Sequence, residues 1–220
     1  MRTRVDGEAA VATRIEMASM ARHLARVAAR LFADRGYAAT SVREIVEAAG
    51  VAKPTLYYHF QSKEGLASAL LTVPLTNLVD TLKHIVKTVG DPVLCLEQVI
   101  EARYVTFRED PDRGRFIYSI LFGPPGSDMV SDLESFRDSL LSWTESAVRR
   151  LAEAGLIARD RSDACCTACR GLIIVSTLDF LYRERPLGGD LARRQVQDLL
   201  QGFGTPLAKN ASPADSSTTG

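Results

Sequence analysis

A chain of 220 residues in which 46% of side chains are hydrophobic is long enough to bury a sizeable core in one or two compact units. Its 27 basic and 27 acidic side chains cancel, which excludes a global field drawing it to nucleic acid, so any such affinity has to be local. A local bias exists: residues 1–65 hold ten Lys/Arg against seven Asp/Glu, net +3, and the remainder is −3, which suits a basic head on an acidic body.

In chain order, residues 1–14 are expected to be a disordered tail, being rich in small and polar residues, and 205–220 (TPLAKNASPADSSTTG) another. The N-terminus lacks an uninterrupted apolar core of signal-peptide length, and no run reaches the length needed to span a bilayer. The reading is therefore a cytoplasmic protein without a membrane partner. Met17, Met20, Leu24, Val27 and Leu31 form a helical stripe that ends at Gly36.

The segment TSVREIVEAAGVAKPTLYYHFQSK, residues 40–63, carries the densest information. Ser41 with Glu44 three residues on is a capping box, and Val42, Ile45, Val46 and Ala49 share one face, so a short helix starts after Ser41. Gly50 stops it, because glycine takes the left-handed conformation at a helix end most readily, and Val51 plugs the angle that follows. Pro54 is tolerated only in a first helical turn, so the second helix begins near Lys53 and runs to about Phe60. Leu56 and Phe60 then face inward, leaving Thr55, Tyr57, Tyr58 and His59 mostly outward, able to reach phosphates or base edges from a major groove. Tyr58 has a second reading, packing against the long helix behind the motif. His59 reads as a neutral hydrogen-bonding residue, since His23 and His84 show no ligand spacing with it.

Gly36-Tyr37, Thr40-Ser41, Arg43, Ile45, Ala48-Ala49-Gly50-Val51 and the run Lys53 to Phe60 with Lys63 resemble the N-terminal signature of the tetracycline-repressor (TetR) family of bacterial transcription regulators, over about residues 18–70. The resemblance implies an all-α protein: a three-helix helix-turn-helix DNA-binding domain over 15–64, then a larger helical effector-binding and dimerisation domain over 65–204. It implies a DNA-binding set of Ser41, Arg43, Lys53, Pro54, Thr55, Tyr57, Tyr58, His59 and Lys63. Within it, Arg43 would read a base edge or clamp a phosphate. Lys53 would contact guanine and Pro54 a thymine methyl. Tyr57, His59 and Lys63 would bind phosphates and fix register.

From Ser62 a helix should run to about Thr88, with Leu66, Leu70, Val73, Asn77 and Ile85 near one face and a kink at Pro74. Asp91-Pro92 opens a helix over about 92–109, and Pro111 starts a short one broken by Gly123-Pro124-Pro125-Gly126. A long amphipathic helix through Leu133, Phe136, Leu140, Trp143, Ala147, Leu151 and Ala154 closes at Gly155. Over 163–183 apolar residues run nearly all the way round, so that helix needs cover on more than one side, including from a second copy. The last helix, about 190–202, offers Ala192, Val196, Leu199, Leu200 and Phe203. In TetR-like proteins these two helices form a two-fold dimer interface, which makes Ile173, Ile174, Leu178, Leu181, Val196, Leu199, Leu200 and Phe203 its candidates and a palindromic double-stranded operator the DNA partner.

The resemblance also implies a repressor released by a small-molecule effector. Tyr104, Phe107, Phe116, Tyr118, Phe122, Trp143 and Phe180 lie on helices that would surround a pocket, although such stripes also make ordinary core. Arg103 falls between Leu96, Ile100 and Phe107 on an apolar face, where a charge is expensive unless paired. Snorkelling or an ion pair with an acid such as Asp179 is the simpler account, and an anionic effector the sharper one. Cys165, Cys166 and Cys169 on one helix, with Cys95 elsewhere, raise a thiol-redox or metal-responsive alternative, against which stand the commonness of buried free cysteines and the absence of a histidine to complete a zinc set. No cofactor is expected, and no catalytic constellation is recognisable. A helical protein-interaction module without specific DNA binding is the alternative from another class.

Overall fold

The computed structural model describes the backbone of residues 2–123 and 128–204 and the side chains of 17–123 and 133–202. Among these residues every regular element is helical: α1 (Arg2–Arg35), α2 (Val42–Ala49), α3 (Lys53–Phe60), α4 (Lys63–Thr88), α5 (Pro92–Glu109), α6 (Pro111–Leu121), α7 (Asp128–Glu153), a single 3-10 turn (Arg159–Arg161), α8 (Ser162–Arg183) and α9 (Leu191–Gly204). The all-α architecture read from the sequence is therefore the observed one. The backbone is helical from Arg2, where the sequence reading has a tail to residue 14; the segment contains no proline, and Ala9, Ala10 and Ala12 favour helix. The tail expected over 205–220 lies outside the described residues.

The head forms as its local signals dictate. Ser41 accepts from the Glu44 N–H while Glu44 accepts from the Ser41 N–H at 2.8 Å, so both halves of the capping box are made. Gly50 ends α2 at φ 66°, ψ 30°, the left-handed region where a side chain is strained. Pro54 sits in the first turn of α3. Ile45, Val46, Ala49 and Leu56 are buried against Leu24, Ala28, Leu31 and Phe32 of α1, at about 1.5–3 kcal/mol for each of the larger side chains.

The loop joining α1 to α2 is clamped from both ends. The buried Thr40 hydroxyl donates to the Gly36 carbonyl at 2.9 Å, and Lys63 at the start of α4 donates to the carbonyls of Tyr37 at 2.9 Å and Thr40 at 2.8 Å. Tyr37 in turn donates to Glu64, so head and α4 meet through a polar knot rather than a free hinge. At Gly65 a Cβ would run into the Phe60 carbonyl, which is how α4 can start so close to the end of α3.

In the body, α4 packs on α5 and α7, α5 also on α8 and α9, and α6 lies between α1 and the remaining helices. The helix α4 continues through Pro74, which is buried inside it. Its buried face differs from the sequence reading: Val73 is 58% exposed and Asn77 is exposed, while Leu71, Leu75, Leu78 and Leu82 make the inward row beside Leu66 and Leu70. That row has its own helical spacing, one residue out of register with the one read from sequence. Two segments, Lys63–Thr88 and Arg159–Arg183, are long and apolar enough to cross a membrane by length and composition alone, contrary to the reading that no run is. Both contribute buried side chains to this bundle.

Candidate nucleic-acid interface and effector cavity

The start of α3 presents Lys53 and Pro54 as exposed side chains, with Tyr57 next to them at 42% exposure. The Lys53 Nζ lies 5.7 Å from the centre of the Tyr57 ring, close enough for the ring face to steady an ammonium that nothing else holds among the described contacts. Thr55 and His59 are half-buried, His59 with its ring 5.1 Å from that of Tyr58. Tyr58 is 68% exposed, and its hydroxyl reaches only the Met17 sulfur at 4.0 Å, so its edge is towards α1 while most of its surface stays open. Ser41 is committed to the capping box. Lys53, Pro54, Tyr57 and Tyr58 are thus the exposed residues of α3 in this set.

Two members of the expected set have prior engagements. Arg43 is exposed and its Nε donates to Glu47 one turn on at 2.6 Å, an ion pair it must give up to read a base. That pair holds the Arg43 guanidinium above its ordinary range, the hydrogen bond being the larger cause and the carboxylate charge the second. Lys63 uses two of its three N–H groups on loop carbonyls and also lies 4.2 Å from the Tyr37 ring centre, so its first role is to fasten the head, with one donor left for a phosphate.

The body contains a cavity of about 270 Å³. Leu75 and Leu78 of α4 form one wall, Phe107, Ile117 and Tyr118 of α5 and α6 another, and Phe136, Leu140 and Leu141 of α7 with Ile173 and Ile174 of α8 the rest. Phe107, Tyr118 and Phe122 make a continuous aromatic side, ring centres 5.3 and 5.7 Å apart, and the exposed Leu121, Phe122 and Arg137 form the rim. Burial pushes the Tyr118 hydroxyl up to about 12, so it stays protonated, and it is hydrogen-bonded to Thr177.

Arg103 lines this cavity and departs from the simpler expectation. It is only 8% exposed, so it does not snorkel, and Asp179 pairs with Arg183 at 3.1 Å and Arg185 at 3.5 Å instead. Its Nη2 donates to the Leu140 carbonyl at 2.6 Å, but its Nε has no partner, and no carboxylate pairs with it among the described residues. Burial lowers it to about 10, which leaves it protonated at neutral pH.

Of the other aromatic candidates, Phe107 and Tyr118 line the cavity, as does Phe122. Tyr104 is fully buried and donates to Gln195 at 2.6 Å, tying α5 to α9. Phe116 faces the opposite way, its ring 5.0 Å from that of Phe32 in α1. Trp143 and Phe180 are half-buried outside the cavity. The interface candidates are also revised. Ile173, Leu181, Val196 and Leu199 are buried within this chain, Ile173 against the cavity, and Leu200 is half-buried. The side chain of Phe203 lies outside the described residues. What α8 leaves open is a row that keeps the candidates Ile174 and Leu178 and adds Gly171, Val175 and Tyr182, Val175 being 58% exposed.

The cysteines read as core. Cys165 and Cys169 are buried and share a hydrogen bond, which lowers the first thiol and raises the second. Burial, with the neighbouring Cys165 as a second cause, pushes the half-buried Cys166 thiol up to about 11, away from the thiolate a sensor needs. Among the described residues no group of three or more His, Cys, Asp or Glu could hold a metal ion.

The structure thus sets a capped helix-turn-helix, with Lys53, Pro54, Tyr57 and Tyr58 exposed on its second helix, on a helical body with an apolar cavity. Residues 24–70 match the family of bacterial regulatory proteins, tetR family. Over 91 residues the chain is 37% identical to the transcriptional activator FasR of Mycolicibacterium smegmatis, covering 41% of this chain and 42% of that protein. Over 78 residues it is 40% identical to the transcriptional repressor KstR2 of Rhodococcus jostii, covering 36% and 38%. The alignments thus span about two-fifths of these relatives, which are transcription regulators rather than enzymes. The crystal structure of PfmR, a TetR-family transcriptional regulator from Thermus thermophilus, superposes with a TM-score of 0.67 at 25% identity, covering 83% of this chain and 96% of that one. The family match thus covers the head, and the likeness to PfmR covers the fold of most of the chain.

Proposed function

We propose that the protein is a homodimeric, ligand-responsive transcription regulator of the cytoplasm, a repressor that binds a palindromic operator and leaves it when a small molecule fills the body cavity. The observation that carries this reading is the sharing of α6 between cavity and head. Ile117 and Tyr118 line the cavity, while Phe116, on the other side of the same short helix, packs on Phe32 of α1. A ligand that displaces α6 therefore changes the seat of α1, and with it the angle of α3. The ligand favours release to the extent that it binds this shifted arrangement more tightly than the DNA-bound one.

Arg43, Lys53, Pro54 and Thr55 read the operator in this scheme, with Tyr57, His59 and the spare donor of Lys63 on phosphates. Selection from a random duplex library by the purified full-length chain, with affinity followed against salt, tests the proposal. A dimeric reader enriches a two-fold symmetric sequence and binds it with a steep salt dependence. A helical interaction module enriches nothing.

A further inference from the structure

We infer that the cavity takes a small amphiphilic carboxylic acid, bound head-inward with its carboxylate on Arg103 and its hydrocarbon along Leu75, Leu78, Phe107 and Ile117. The inference rests on the regulator reading only in calling the ligand an effector; the binding chemistry stands on the cavity itself.

A guanidinium in an apolar wall is costly, and proteins offset that cost with a carboxylate or a full set of acceptors. Arg103 has neither, only the Leu140 carbonyl on Nη2 and an unpartnered Nε. That carbonyl already accepts from the Thr144 hydroxyl at 2.9 Å, so the protein does not need Arg103 to satisfy it. The missing acceptor is then a planar anion matching the guanidinium fork, and the cavity beside it is the space from which one arrives. The neighbouring Tyr118 hydroxyl, neutral and hydrogen-bonded to Thr177, lies on the same wall. The rest of the lining is hydrocarbon and aromatic, which calls for an apolar remainder. At about 270 Å³ the space exceeds the roughly 150 Å³ that holds a benzene ring and falls just below the usual range for drug-sized ligands. A ligand of about ten to fifteen non-hydrogen atoms fits those bounds.

Arg137 and Arg170 also line the cavity, but Arg137 is paired with Asp138 at 3.7 Å and Arg170 donates to Thr167 at 3.2 Å. They suit the phosphates of an acyl thioester whose head stays outside, which is the competing source of negative charge. The test compares decanoic acid, 1-decanol, decylamine and decanoyl-coenzyme A by calorimetry on the full-length protein, wild type and Arg103→Met. The expected result is that wild type binds decanoate about tenfold to a hundredfold more tightly than 1-decanol and rejects decylamine. Arg103→Met should bring acid and alcohol to near-equal affinity, and it should melt no lower than wild type, because no buried acid is orphaned.

Equal binding of acid and alcohol by wild type overturns the inference, and this comparison needs no variant to fold. Binding of the thioester alone, indifferent to Arg103→Met, overturns it too, as does failure of every probe to bind. A protein that prefers decanoate through Arg103 but selects no operator keeps this inference and loses the regulator reading. One that selects an operator and ignores decanoate does the reverse.

Discussion

Lys53 and Lys63 carry the same charge ten residues apart, and their surroundings give them different work. Lys53 is exposed at the start of α3 and held only by the face of Tyr57, so its donors are free for a base edge. Lys53→Ala should cost about 1–3 kcal/mol of binding at a single operator position and leave random duplex almost unaffected. Equal losses on operator and random DNA would end its assignment as a base reader. Lys63 holds the Tyr37 and Thr40 carbonyls, so Lys63→Met should lower the stability of the head by about 2 kcal/mol, seen as an earlier melting transition, before any effect on DNA is considered. An unchanged melting curve with uniformly weaker DNA binding would make it a phosphate contact first, which is the role its sequence position implies. That role is what the family resemblance implies; the two carbonyls could not be read from the sequence, since the contacts cross 23 and 26 residues. Arg103 teaches the same at larger separation. Its apolar neighbours are visible at i−3 and i+4, but that Asp179 would be claimed by Arg183 and Arg185 depends on how α8 ends.

At the scale of elements, legibility follows how local each signal is. The capping box, Gly50 and Pro54 fix α2 and α3 within a few residues, and both helices have the bounds that those residues imply. In α4 the leucine-rich composition offers more than one helical row, and the row through Leu71, Leu75, Leu78 and Leu82 prevails over the one through Val73 and Asn77 because α5 and α7 set which side is covered. The aromatic candidates divide for the same reason. A short helix such as α6 has neighbours on two sides, and periodicity alone does not say which side holds the cavity. That division makes a prediction about coupling. Phe116→Leu keeps an apolar side chain against α1 but loses the ring contact with Phe32, at a stability cost of about 1 kcal/mol. Affinity of the cavity for its ligand in the absence of DNA should be unchanged, while the reduction of operator affinity by that ligand should shrink about fivefold. If the coupling persists in full despite the lost ring contact, the signal passes through α4 and the Lys63 knot instead.

For the whole molecule, the proposed dimer poses the question of where a second copy docks. The apolar content of α8 signals in the sequence that this helix is covered on more than one side, yet four of the eight residues that the resemblance nominates for the interface, Ile173, Leu181, Val196 and Leu199, fill the interior of the chain. The open row is Gly171, Ile174, Val175, Leu178 and Tyr182, at positions i, i+3, i+4, i+7 and i+11 and hence on one face of α8. Gly171 adds to its suitability, since a Cβ there would meet nothing within 4 Å and its absence lets a facing helix approach closely. The outer side of α9, with Arg193, Arg194, Gln197 and Asp198 exposed, supplies a polar rim rather than an apolar seam. Two-fold pairing across α8 brings each exposed Val175 towards its symmetry mate, so a carboxylate there meets its own copy in an apolar setting. Val175→Glu should therefore yield a monomer by sedimentation with its helical content intact, because the side chain touches little inside the chain. Loss of the tethered second head should then weaken operator binding by about a hundredfold or more, while affinity for an isolated half-site stays at the wild-type level. A variant that still sediments as a dimer would move the interface off α8 altogether. A monomer that kept full operator affinity would show that one head suffices, and the palindrome would lose its reason.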